Sequence, residues 1–305
     1  MANMITKSDA SALIPEQVFE EIFKEAQKES KVLKLFRRLP NMTSDKMRIK
    51  VVDSLPVAYW VNETSNNGRK NTTKMAWDNV YLTAEELAVI IPVKDNVIND
   101  ADVDIWAQVR PELVKAIAKK IDEAVLFGTD APASFGNGVI PDIISKSKSV
   151  TETGKLYSDI NDVMTAVEES GYEVTGLLGG VGLKGKFRMM TDTTGQPLNT
   201  TEIGDLNREF VDNGAWDKTA ATLVAGDFNQ AVYAIRQDVT FDVFREGVIQ
   251  NSDGSIAYNL MQEDMSAIRV VFRFGTAIPN PVTSLDGTEN RYPFAALVPE
   301  GTVSL

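Results

Sequence analysis

The chain has 305 residues, 43% of them hydrophobic and 24% charged, which is the composition of a globular protein with one large or two medium domains. It contains no cysteine and no histidine, so disulfides, zinc sites built on these residues and Ser-His-Asp or Cys-His catalysis are excluded. The net charge of −12 argues against a nucleic-acid-binding domain, although it does not forbid loose enclosure of DNA.

The first predicted element is an amphipathic helix near the N-terminus. Pro15 suits the first turn of such a helix, and basic residues outnumber acidic ones by nine to six over residues 16–50. Apolar side chains recur at helical spacing: Val18, Ile22 and Ala26, with Phe19 and Phe23 beside them. We expect an arm whose apolar stripe packs under a neighbouring domain. A membrane-surface helix or a calmodulin-type segment is the alternative.

The next predicted element is a long two-stranded ribbon. Two β-prone runs, residues 57–61 and 80–93, flank a wholly polar tip at residues 62–74. The outgoing run alternates apolar and other residues, with a break at residues 83–86 that is typical of a bulge. An isolated ribbon is marginally stable in water, so we expect one this long to lie on another copy of the chain.

A long helix is predicted over residues 102–127. Its apolar residues recur at steps of three and four: Trp106, Val109, Leu113, Ile117, Ile121 and Val125. Gly128 suits a left-handed C-cap, and Pro111 predicts a kink or the start of the regular part. A helix of this length is about 40 Å long, which suggests a spine helix that spans much of the subunit. We expect its residues Ile117 and Ile121 to be buried beneath a sheet. An ordinary core helix of an α+β domain is the alternative.

The remainder reads as alternating strands and helices. A Gly/Pro-rich loop with an Asn137-Gly138 turn follows the long helix. We then predict strand 174–178, a glycine turn and a short basic helix ending near Met190. Lys186 is followed by Phe187, which breaks the phosphate-binding loop order and favours a structural turn. The further predicted elements are helix 203–210, strands 221–225 and 231–235, and alternation through 239–243 to 270–274.

Membrane and secretion signals are lacking. No run approaches the ~18 apolar residues that a spanning helix requires, and residues 1–10 lack the apolar core of a signal peptide. We therefore expect a protein that is made and kept in a cytoplasm.

Taken in order, these segments resemble the major capsid proteins of tailed bacteriophages, with the Hong Kong 97-type fold. The resemblance covers nearly all of the chain, and its order and spacing are more specific than any one motif. The matching residues are Leu13-Ile14-Pro15 with Val18, 58–63, 77–82, 91–100, 122–128, 136–140, 226–228, 231–235 and 292–297.

The resemblance implies an α+β fold with four regions. They are an N-terminal arm at 1–48, an extended β-ribbon loop at 49–93, a peripheral domain at 94–150 and 266–305 with the spine helix at 102–127, and an axial domain at 151–265 with a central sheet flanked by helices. It further implies self-assembly into the pentamers and hexamers of an icosahedral shell that encloses double-stranded DNA. No enzymatic activity, cofactor or metal is implied, and the location is the virion, with the host cytoplasm during assembly.

The ribbon and the arm supply the candidate contacts between subunits. They are Trp60, Glu63, Arg69, Lys70, Lys74, Trp77, Phe19 and Phe23. Trp60 and Trp77 would anchor the ribbon as interface aromatics do, and cross-strand packing within one subunit is an equal alternative. The basic tip residues would pair with acids of a neighbour, although an exposed polar tip would look the same.

Two features of the family are not expected here. Only residues 1–13 precede the matching arm, so we expect that no scaffold is fused to the chain. We expect a separate scaffolding protein and a portal as its partners. We also expect mature particles to contain the chain at nearly its full 33.5 kDa. Some relatives cross-link a ribbon lysine to an asparagine, but nothing in this sequence identifies the partner.

Two other functions are the alternatives to a phage capsid protein. They are the shell protein of an encapsulin-type compartment and, more remotely, a histidine-free enzyme with paired carboxylates.

Overall fold

The computed structural model describes residues 29–60, 70, 72–100, 105–190 and 206–301, with the backbone alone described at 99 and 105–108. The helices are α1 (Lys31–Leu35), α2 (Asp95–Asp100), α3 (Ile105–Phe127), a 3₁₀ turn (Ala133–Phe135), α4 (Val139–Ser145), α5 (Leu156–Glu168) and α6 (Leu183–Arg188). The strands are β1 (Arg37–Arg38), β2 (Lys46–Ser54), β3 (Ala76–Thr83), β4 (Glu85–Lys94), β5 (Ser149–Thr151), β6 (Gly176–Gly180), β7 (Asn207–Val211), β8 (Leu223–Gly226), β9 (Val232–Phe244), β10 (Val248–Gln250), β11 (Ile256–Asn259), β12 (Met265–Ala277) and β13 (Phe294–Val298).

A four-stranded sheet of order β1-β9-β12-β4 forms one part of the body. β12 lies between β9 and β4 and is antiparallel to both. Its alternate residues divide between two faces, so Phe272 and Phe274 enter the main core while Arg269 and Arg273 lie on the opposite side. The main core therefore lies on one face of this sheet, against the long helix.

A five-stranded sheet of order β5-β13-β8-β6-β7 forms the other part. β6, β8 and β13 are buried along their whole length, as expected of strands covered on both faces. Helix α5 covers one face through Ile160, Val163 and Val167, which pack with Leu223 and Leu297 of the sheet. Helices and strands together make an α+β chain.

The long helix α3 agrees with the prediction from residue 105 onward, and residues 102–104 lie outside the described part. It ends where expected, because Gly128 has φ 70° and its amide donates to the carbonyl oxygen of Ala124 at 3.1 Å. A Cβ atom at Gly128 would lie 2.0 Å from the carbonyl oxygen of Asn137, so the close approach of the next loop also requires glycine. The predicted burial of Ile117 and Ile121 is confirmed, since they are 2% and 1% exposed.

We expect Ile121→Ala to lower the free energy of unfolding of the isolated subunit by about 2–5 kcal/mol. The side chain is fully buried in the main core, and its removal leaves a cavity between α3 and the surrounding residues. Urea unfolding followed by circular dichroism measures the loss. Ile121→Val is the matched control, with an expected loss of about 0.5–1.5 kcal/mol. A loss under about 1 kcal/mol for the alanine variant would show that this face of α3 tolerates the cavity.

Two predicted segments have a different structure. The predicted helix at 203–210 is wrong over its described residues, since Asn207–Val211 forms the edge strand β7, parallel to β6. Pairing with an already buried strand outweighs the local helical pattern. The loop after Gly128 was predicted to be irregular, yet helix α4 begins at Val139. Val139, Ile140 and Ile143 form its buried face, and Gly138, with φ 96°, is the N-cap residue.

Candidate assembly surface

A two-stranded ribbon of β2 and β3 is present, but its incoming strand differs from the prediction. Lys46 pairs with Thr83, Arg48 with Tyr81 and Val52 with Trp77 in an antiparallel register. The incoming strand therefore comprises residues 46–54 rather than 57–61, of which the described residues 57–60 have no regular structure. The predicted boundary between arm and loop, at 48/49, cuts through this strand and separates Lys46 and Arg48 from Lys50, which hid the alternation of cations and apolar side chains.

The outgoing run at 80–93 is two strands rather than one bulged strand. β3 ends at Thr83, and β4 begins at Glu85 and belongs to the four-stranded sheet. Between them Ala84 is 6% exposed, and its amide donates to the carbonyl oxygen of Asp45 at 2.8 Å. The break that the pattern located at 83–86 is thus the point where the chain leaves the ribbon for the body.

The inner face of the ribbon packs on its own subunit. Leu82 is 0% exposed and forms a cluster with Met42, Val232 and Ala234, against which Met47 and Ile49 also pack. A Cβ atom at Gly275 of β12 would lie 2.6 Å from the carbonyl oxygen of Thr83, so the strands approach closely. The expectation that another copy supports the ribbon is therefore wrong for its base, which the body holds.

The outer face of the ribbon is exposed. Trp77 is 61% exposed and Tyr81 is 56% exposed. Trp77 lines an open groove together with Arg48, Lys50 and Asn79. Packing within the subunit covers less than half of the Trp77 side chain, so most of this aromatic surface is available for contact.

Beyond the paired strands, exposed apolar side chains continue toward the tip. Val57, Tyr59 and Trp60 are 55%, 52% and 93% exposed, and Lys70 and Lys74 are also exposed. The other predicted contact residues, Glu63, Arg69, Phe19 and Phe23, lie outside the described residues. The role of all eight residues as contacts between subunits stays a prediction.

A second exposed apolar surface, which the sequence analysis missed, lies on the hairpin of β10 and β11. Ile256 is 62% exposed, Tyr258 is 41% exposed and Met261 is 73% exposed. These strands pair only with each other and extend from the ends of β9 and β12. Their alternation was visible, but the sequence alone did not show that these side chains are exposed in the described part of the chain.

A buried carboxylate joins the long helix to the segment that begins the described chain. Asp122 is 0% exposed, and its oxygens accept hydrogen bonds from the Ser30 hydroxyl at 2.6 Å and the Asn213 side-chain amide at 2.7 Å. They also accept from the backbone amides of Lys31 and Val32, each at 3.2 Å. Asp122 therefore caps helix α1 from a distance of about ninety residues in sequence.

The environment of Asp122 changes its acidity. Burial raises the pKa of this carboxyl above its ordinary value, because desolvation of the ionised form outweighs the four hydrogen bonds that favour it. Helix α1 is further attached to the region of β7 by ion pairs of Lys31 with Asp212 at 3.2 Å and Lys34 with Glu209 at 2.5 Å. This side-chain network fixes the position of helix α1 on the body.

Two kinds of feature are absent from the described residues. Within them, no group of three acidic side chains is placed so that it could hold a metal ion. None of the helices in the same part of the chain is long and apolar enough to cross a membrane. The exposed ribbon distinguishes the surface of the described chain, and the network around Asp122 lies in its interior.

An α+β body with a long internal helix, and with a ribbon region that carries the exposed Trp60 and Trp77, is the architecture of a structural subunit of the Hong Kong 97 type. Comparison with known proteins agrees: the Phage capsid family matches residues 10–282. The major capsid protein of Staphylococcus phage 80alpha is 26% identical over 258 residues, which are 81% of this chain and 76% of that protein.

Solved structures agree with this assignment. A chain from Microbacterium phage Oxtober96 is 31% identical with a TM-score of 0.79, covering 98% of this chain and 100% of its own. A chain from Mycobacterium phage Adephagia is 28% identical with a TM-score of 0.81, covering 99% of this chain and 100% of its own. The chain belongs to the phage capsid family. Its resemblance to the major capsid proteins of tailed phages and the α+β fold are confirmed.

Proposed function

We propose that this capsid protein self-assembles into the pentamers and hexamers of an icosahedral shell that encloses double-stranded DNA. The observation that carries the proposal is the exposed aromatic surface of the ribbon. Trp60 and Trp77 are 93% and 61% exposed, although a monomeric protein tends to cover such large side chains. Aromatic residues are enriched in the interfaces between subunits.

Ring formation follows from the asymmetry of the subunit. The ribbon and the body have different surfaces, so a contact of one ribbon with the body of the next copy is head-to-tail. Head-to-tail contacts generate closed rings when the rotation between copies closes. The eight predicted contact residues and the hairpin of β10 and β11 are the surfaces that we assign to these contacts.

The regions of the chain receive roles accordingly. We assign the arm to 1–48, the extended loop to 49–93, the peripheral domain to 94–150 and 266–305, and the axial domain to 151–265. A separate scaffolding protein and a portal are the proposed partners, in the host cytoplasm during assembly. The DNA is held by enclosure rather than by sequence-specific binding, in keeping with the net charge of −12.

Negative-stain microscopy of the purified protein tests the proposal. Closed shells or rings of five and six subunits are the expected result, whereas only small discrete particles would contradict it. Particles from infected cells are then analysed for their contents. Double-stranded DNA is expected inside them, and a protein cargo without DNA would identify a compartment protein of the encapsulin type instead.

A further inference from the structure

Three cations lie in a row on the outer face of the ribbon. Lys46, Arg48 and Lys50 alternate along β2, and all three are exposed. Alternate residues of a strand share one face and lie about 7 Å apart, so the three charges form a regular line. Tyr81 lies opposite Arg48 and Asn79 opposite Lys50 on the same face. None of the three cations was among the predicted contact residues.

These cations have no acidic partner in the described part of the chain. The arginines of the four-stranded sheet differ, because Arg269 pairs with Asp242 at 3.0 Å and Arg273 with Asp45 at 3.3 Å. Arg48 and Lys50 instead line the open groove beside the Trp77 indole. A groove with two cations and an exposed aromatic ring suits a partner that brings carboxylates together with apolar surface.

The row cannot turn toward its own body. The opposite face of the same strands holds Met47 and Ile49, which pack against the cluster around Leu82. A rotation of the ribbon that hid the cations would expose this apolar face, and the backbone hydrogen bond from Val282 to Val52 at 3.0 Å also holds the strand. The cationic face is therefore presented outward in every arrangement that keeps the ribbon base packed.

We propose that this face, Lys46, Arg48 and Lys50 with Trp77 and Tyr81, docks on a carboxylate-bearing surface of a second copy of this chain. The inference rests on the proposed function and specifies which face of the ribbon makes the contact. Charge complementarity supports it, since the chain carries 43 acidic residues against 31 basic ones. A second copy therefore presents unpaired carboxylates in abundance.

The body provides examples of such carboxylates. Glu168, Glu169 and Glu173, at the end of α5 and just after it, are exposed and form no ion pair within the described residues. DNA phosphate is a less suitable occupant, because the excess of acidic residues repels a polyanion and three cations give weak, salt-sensitive binding. The aromatic side chains beside the cations also favour a protein surface.

Charge reversal of the row tests the proposal. The variant Lys46→Glu, Arg48→Glu, Lys50→Glu is compared with a matched control, Lys94→Glu, Lys155→Glu, Lys218→Glu, which changes exposed lysines elsewhere and the net charge equally. Assembly of the purified proteins is followed by light scattering and negative stain at about 0.05 M and 0.5 M NaCl. Circular dichroism and size-exclusion chromatography verify that each free subunit is folded.

We expect the ribbon variant to need about tenfold more protein for assembly than the wild type, because three attractive contacts become repulsive. The control and the charge-conserving variant Lys46→Arg, Lys50→Arg should assemble as the wild type does, and high salt should weaken wild-type assembly. If reversal prevents folding, Lys46→Gln, Arg48→Gln, Lys50→Gln replaces it, with the same direction of effect expected.

Two outcomes would overturn the inference. In the first, the ribbon variant assembles at the wild-type concentration; if it also no longer binds a labelled DNA duplex, as measured by fluorescence anisotropy, the face is assigned to DNA. In the second, the control loses assembly as strongly as the ribbon variant. A wild-type protein that forms no shells would instead contradict the proposed function itself.

Discussion

Replacing residues 62–74 with a short Gly-Ser turn is expected to abolish closed shells while leaving a folded, soluble subunit. The base of the ribbon is attached to the body through the cluster around Leu82, whereas Tyr59 and Trp60, just before the tip, are exposed. The tip sequence is wholly polar and has little apolar surface to bury within one subunit. Its removal should therefore lower the free energy of unfolding only slightly, and it should prevent the ribbon from reaching a second copy of the chain. Negative stain measures assembly, and urea unfolding measures stability.

A Gly-Ser segment of equal length is the control for this experiment. If length alone matters, the equal-length variant assembles; if the tip side chains matter, it fails as the shortened one does. Either result is consistent with an assembly role. Normal shells from the shortened variant would contradict that role, and so would a shortened subunit that no longer folds.

Asp122→Ala is expected to lower the free energy of unfolding of the subunit by about 3–5 kcal/mol. The substitution leaves the Ser30 hydroxyl, the Asn213 amide and two backbone amides of α1 without their acceptor. A buried donor without an acceptor costs about 1–3 kcal/mol, so several together outweigh the benefit of removing a desolvated charge. Asp162→Ala, at an exposed position of α5, is the control and should change stability by less than about 0.5 kcal/mol.

Asp122→Asn tests the pH dependence of the same network. Burial raises the pKa of the folded-state carboxyl above its unfolded value of 3.8. The stabilisation that this group gives is therefore fully present below the unfolded pKa and is lost as the pH rises through the folded pKa. The advantage of the wild type over the asparagine variant should be largest in acid and should narrow toward neutral pH. An advantage that grows as the pH rises would show that the pKa is lowered instead.

The sequence alone predicted the parts of the fold that local patterns specify. The long helix was found because Ile117, Ile121 and Val125 repeat at helical spacing over many turns and Gly128 supplies its stop. The polar segment at 62–74 and the aromatic residues around it likewise indicated an exposed ribbon. These patterns lie within short stretches of sequence. The folded chain retains the predicted elements because core packing and helix capping favour the same local structure as the sequence does.

The ribbon register was decided by contacts distant in sequence. Residues 46–54 became its incoming strand because Met47 and Ile49 pack against the cluster that contains Val232 and Ala234 of the body, and no local sequence pattern contains that contact. The same holds for β7, whose sequence has a local helical pattern. It forms a strand because it pairs with β6. Strand pairing is selected by the neighbour as much as by the strand itself.

The candidate site was likewise determined partly by the sequence and partly by the tertiary structure. Composition excluded catalysis by histidine or cysteine, and the ribbon pattern indicated Trp60 and Trp77 as surface candidates. Only the tertiary structure showed that Lys46, Arg48 and Lys50 share the outward face with Trp77, because facing depends on register and on which side the body covers. Only the tertiary structure showed that Asp122 lies at the start of α1, because a hydrogen bond between residues about ninety positions apart produces no periodic pattern in the sequence.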